Sequence, residues 1–90
     1  MIIKVTGAVI KEQGVVFAVV SVKPHVLSNK SEADNLIRQT SFQLFDRMPV
    51  VLMAQNGQKV TYYGRDDLSK FLSRVPIDAI PWKEYTFTIN

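Results

Sequence analysis

Cysteine is absent from this 90-residue chain, which removes disulfide scaffolds, thiol catalysis and thiolate metal sites together. Histidine occurs once, at His25. A metal site would therefore have to combine one imidazole with carboxylates, and no local motif gives His25 an acid–base partner. The four glycines, Gly7, Gly14, Gly57 and Gly64, stand alone, so no glycine-rich phosphate loop exists. The serines and threonines lack a nucleophile-elbow setting. Asp66 and Asp67 are the only adjacent carboxylates, but consecutive helical residues diverge by about 100°. They suit the positive end of a helix better than a catalytic pair. The expectation is no catalytic residue, no metal and no cofactor.

Concentrated charge is missing too. Eleven Lys and Arg against eight Asp and Glu leave a net charge of +3, with the two signs interleaved and no basic run. Nucleic-acid binders usually gather positive charge into a patch. No apolar run approaches the roughly 20 residues a membrane span needs. The first residues, Met1-Ile2-Ile3-Lys4-Val5, lack the basic region and long apolar core of a signal peptide, so a cytoplasmic protein with no membrane partner is expected.

What the chain has is apolar residues, 47% of the total. A single domain over residues 1–90 is expected, and one this short buries only about 60–65% of its unfolded surface. The surplus either fills a dense core or stays outside as a contact face.

The clearest local signals lie in Met48–Val75. Asn56-Gly57, between an apolar run and a β-branched, aromatic run, predicts a type I′ hairpin pairing Gln55 with Gln58 and Met53 with Val60. Leu68, Phe71, Leu72 and Val75 then recur at helical spacing. Upstream, alternation predicts a first strand over 2–10, with Gly7 at a bulge or close approach. Lys11-Glu12-Gln13-Gly14 forms a polar turn. Val15–Val22 and Val50–Ala54 are apolar on both faces, as central strands are. Pro24 stops the second strand, and Asn29 with Glu32 or Ser31 with Asp34 supplies a capping box for the first helix. Ala33, Leu36, Ile37, Thr40 and Leu44 form its inner stripe; Phe42 and Phe45 fall beside or off it, where they either widen the core contact or, for Phe42 in particular, leave the ring partly exposed. Pro76 and Pro81 enclose an irregular segment, and Trp82 reads as a lid over the core. Tyr85, Phe87 and Ile89 alternate with polar residues as a last strand with one wet face.

The order ββαββα(β) predicts an α/β chain of the two-layer α+β kind: a mixed four- to five-stranded sheet, strand order 1-2-3-4, with two helices mainly on one face. Without its first strand the order is similar to the ferredoxin-like βαββαβ sandwich. That arrangement makes Gln58–Tyr63 central and Val50–Ala54 an edge, the reverse of what their apolarity favours. Pro49, Asn56-Gly57, Val60, Gly64, Leu68, Phe71 and Leu72 together resemble the closing strand–strand–helix of thioredoxin-like domains. This covers about a third of the chain, without the redox cysteines, and implies no function.

Helices on one face leave the other apolar, to be buried against a partner or covered by a helix or by the 76–90 tail folding across it. The leading expectation is thus a non-enzymatic protein-interaction or homodimerisation module, binding itself or another protein through that face or an unpaired edge strand. Phe17, Leu52, Thr61 and Tyr63 are its contact residues. One alternative is nucleic-acid binding by stacking on Phe17, Tyr63 or Tyr85, with Lys59, Arg65 and Lys83 on phosphate. Another is a small anion held at the second helix N-terminus by Tyr63, Gly64 and Arg65.

Overall fold

The computed structural model describes residues 2–12 and 14–88. Gln13 in the first turn, Ile89 in the last strand and the side chains of Ile3 and Phe87 lie outside what is described. The strands are β1 (Ile2–Glu12), β2 (Val15–Val22), β3 (Val50–Asn56), β4 (Lys59–Tyr63) and β5 (Lys83–Thr88). The helices are α1 (Pro24–Leu27), α2 (Lys30–Leu44) and α3 (Asp66–Leu72), followed by a 3-10 turn at Ile77–Ala79. One five-stranded sheet has the order β4-β3-β2-β1-β5. Only β2 and β3 pair in parallel; the other three pairings are antiparallel. The α+β class and the mixed sheet agree with the sequence. The most apolar strands sit inside and β4 lies at an edge, the reverse of a ferredoxin-like order.

The layering differs from expectation. Alternate residues of a strand face opposite sides, and here both sides are covered. Phe17, Val19, Val51 and Met53 pack with Leu68 and Leu72 of α3, and with Ile80 and Trp82 beyond it. Ala18, Val20, Val50 and Leu52 pack instead with Ala33, Leu36 and Ile37 of α2. The two helices thus lie on opposite faces, giving three layers instead of two. The physical reason is in β2 and β3 themselves, whose every residue from Phe17 to Val20 and from Val50 to Ala54 is buried. A strand apolar on both sides needs cover on both.

Local chemistry fixes the boundaries. Asn29 is the N-cap of α2, its Oδ1 accepting the Glu32 amide at 3.1 Å. A short α1, absent from the sequence reading, begins at Pro24, a residue suited to the first helical turn. The buried Thr40 hydroxyl donates to the Leu36 carbonyl at 2.8 Å, so the one polar group of the inner stripe is satisfied. Trp82 is half-buried against the α3-side core and its Nε1 donates to the Ile77 carbonyl at 3.1 Å, which holds the 76–82 segment over the sheet.

The hairpin register is shifted by two residues from expectation. Asn56 pairs with Lys59 and Met53 with Tyr62, so Gly57 and Gln58 form the turn. Gly57 alone takes positive φ, at 64°, the pattern of a type II′ turn with glycine at its first central position. Because the shift is even, every side chain keeps its predicted face.

Candidate interaction site

Phe42 is the most conspicuous side chain outside the core. It follows Ala33 by nine residues, about 180° around the helix from the inner stripe at 100° per residue, and 65% of it is exposed. It lines an open groove of about 580 Å³ together with Asp34, Ile37, Arg38 and Ser41 of α2 and with Arg47, Met48, Pro49 and Val50.

The Arg47 side of the groove is held in an unusual backbone conformation. Asp46 and Arg47 both take positive φ, 48° and 66°, a region that costs a non-glycine residue roughly 1–2 kcal/mol. Three bonds offset this: the Arg47 amide donates to the Ser41 carbonyl at 2.9 Å, the Met48 amide to the Phe45 carbonyl at 2.9 Å, and the Ser41 hydroxyl to the Met48 carbonyl at 2.6 Å. The reversal brings the Arg47 guanidinium over the Phe42 ring, 5.1 Å from its centroid, within cation–π range. Among the described residues neither Arg38 nor Arg47 forms an ion pair. Asp34 also lines the groove, and its Oδ1 accepts the Tyr63 hydroxyl at 2.8 Å. The site therefore combines an aromatic knob, apolar lining residues and charges of both signs.

The residues expected at a partner face separate. Phe17 and Leu52 are both 0% exposed, sealed by α3 and α2 respectively. Both are withdrawn from the surface, because both faces of the sheet are covered. Thr61 is exposed on the edge strand β4, and Tyr63 is half-buried. Donation to Asp34, and secondarily desolvation, holds the Tyr63 phenol above its ordinary pKa. Burial also raises that of Tyr62.

The anion cluster Tyr63, Gly64 and Arg65 does not converge. Arg65 Nε and Nη2 donate to the two carboxylate oxygens of Asp67 at 3.0 and 2.7 Å. This bidentate pair raises the arginine pKa and, through the same hydrogen bonds, lowers that of Asp67. For the stacking surface, Phe17 is withdrawn and the Tyr85 ring packs edge-on against Phe45 at 5.0 Å. His25 is exposed on α1, and no cluster of metal-ligating side chains occurs among the described residues.

Sequence reasoning missed Arg38, Arg47, Met48 and Pro49 as a group. The helical phase of Phe42 was the available signal; the left-handed turn at Asp46-Arg47 carries no glycine to announce it. Comparison with protein-family models, curated proteins and solved structures gives no match to this chain. No helix among the described residues is long and apolar enough to cross a membrane.

Proposed function

We propose that the domain is a cytoplasmic protein-interaction module that pairs with a second copy of itself through the α2 surface. The observation that carries this reading is the exposed Phe42 beside its own groove. A knob and a hole on one patch suit an isologous interface, in which the same surface meets itself across a two-fold axis. The charges are self-complementary as well: Arg38 and Arg47 of one copy meet Asp34 and the neighbouring Asp46 of the other. Aromatic and arginine side chains are the groups most enriched among residues that dominate interface energies.

Sedimentation equilibrium from micromolar to millimolar protein tests this. The wild-type mass rises from 10.2 kDa toward twice that value. Phe42→Ser remains a monomer with a melting temperature close to wild type, because the ring is largely exposed and loses only its surface contact with the Arg47 guanidinium. A wild-type chain that stays monomeric throughout refutes the proposal.

A further inference from the structure

The second surface of interest is the outer edge of β4, which is at the opposite end of the sheet from β5 and has β3 as its only neighbour. In an antiparallel edge strand, alternate residues turn their amide and carbonyl groups outward, unpaired. A groove of about 330 Å³ follows this edge, between Val60, Thr61 and Tyr62 of the strand and Asp66, Ser69, Lys70 and Ser73 on and just after α3. At the other end of the sheet, beside β5, Lys4 and Glu84 approach to 4.0 Å.

The groove is polar, and Lys70 and Asp66 are the charged groups in its lining. Ser69 Oγ is shielded from solvent and is the only buried side-chain polar atom without a hydrogen-bond partner among the described residues. The Ser73 hydroxyl is committed to the Lys70 carbonyl at 2.7 Å. The Lys70 ammonium makes no ion pair among the described residues, nor does that of Lys59 at the start of the strand. Asp66, the single carboxylate, lies in the first turn of α3, where the helix end already favours it. Two ammonium groups without an ion pair among the described residues thus lie along a free strand edge.

We infer that the β4 edge accepts an extended acidic segment of a partner protein as a sixth strand. The partner backbone pairs with the outward groups of β4, and one of its carboxylate side chains enters the groove to meet the Lys70 ammonium. Strand addition draws its affinity from main-chain hydrogen bonds and its selectivity from pockets that take alternate side chains, and this edge has both. The inference does not depend on self-association through α2.

The test is an amide-resolved NMR titration of the Phe42→Ser chain, chosen so that dimerisation at α2 does not intrude. The probes are acetylated, amidated pentapeptides Thr-Val-Glu-Val-Thr and Thr-Val-Lys-Val-Thr. The Glu peptide is expected to shift the amides of 59–63 and 69–73 and to bind at least about tenfold more tightly than the Lys peptide, roughly the worth of one charge-assisted pair. In Lys70→Glu, a surface change that leaves the core intact, the preference inverts. Three results overturn the inference: no shift in β4 up to 10 mM Glu peptide, equal affinity for the two peptides, or no inversion in Lys70→Glu. Movement of the β4 amides on simple dilution also overturns it, by assigning the edge to a second copy.

Discussion

Replacing Gly7 by alanine adds one methyl group against the backbone of the neighbouring strand β2. An ideal Cβ at this position lies 2.9 Å from the Val19 carbonyl oxygen and 3.5 Å from Phe45 Cζ. The first distance is to backbone, so no side-chain rotation relieves it; β1 has to move away from β2, its partner along seven residue pairs from Thr6 to Glu12. Overpacking of this kind costs about 1–3 kcal/mol, while alanine's smaller conformational freedom returns roughly 0.5–1 kcal/mol. The mid-range net loss is about 1 kcal/mol, with an upper end of about 2.5 kcal/mol, and about 1 kcal/mol in a domain of this size lowers the melting temperature by roughly 4–8 °C. Urea unfolding followed by far-ultraviolet circular dichroism measures it as a lower midpoint with an unchanged slope. Adding Phe45→Leu does not restore the midpoint, because the closer clash is with Val19. If Gly7→Ala matches or exceeds wild type, the close-approach argument is wrong. If Phe45→Leu rescues it, the constraint belongs to the ring and not to the strand.

Val19 and Val20 are neighbours that face opposite cores, so Val19→Ala and Val20→Ala should each cost about 2 kcal/mol from lost burial and residual cavity; a value under about 0.5 kcal/mol for either would mean that its side of the sheet is open. The Asp67 carboxyl, held low by Arg65, contributes stability above the ordinary carboxyl range and loses it as pH falls through the depressed folded value. Carbon-detected NMR titration should find it returned toward the ordinary value in Arg65→Gln, and an unchanged titration in that variant would remove the pair as the cause. The Tyr63 phenol, raised mainly by its bond to Asp34, gives the opposite sign: its contribution is intact below the ordinary phenol pKa and disappears as pH rises through the raised one. Spectrophotometric titration of Asp34→Asn should bring that ionisation to lower pH, and failure to do so would detach it from the hydrogen bond.

Much of this fold is legible in local signals. Two strands apolar on both faces, Asn29 as a cap and a glycine-bearing turn are each one-residue or period-two features, and each falls within a few residues of its predicted place. The layer assignment required a different inference from the same residues. Phe17 and Leu52 belong to runs whose alternate members are equally apolar, which is a statement about needing two covers; reading it as one cover and one open face made buried residues into contact residues. The register of the second hairpin escaped because Asn56-Gly57 and Gly57-Gln58 are both acceptable turns, separated only by which residue takes positive φ. Phe42 was legible from helical phase. Its groove was not, because Arg47 reaches it through two left-handed residues whose conformation depends on bonds back to Ser41 and Phe45.

The pairing of β1 with β5 has a consequence of its own. Ile2 lies opposite Thr88, so the two extremities of the described chain sit on adjacent strands about 5 Å apart. The described residues nearly close on themselves: a bridge of a few residues from Thr88 to Ile2 would seal them, and a cut in the Gly57-Gln58 turn would give a permuted chain with the same five strands in the same order in space. It also means that both connections to any host polypeptide leave from one corner of the sheet, far from β4, so the domain can be spliced into a surface loop while its opposite margin stays free.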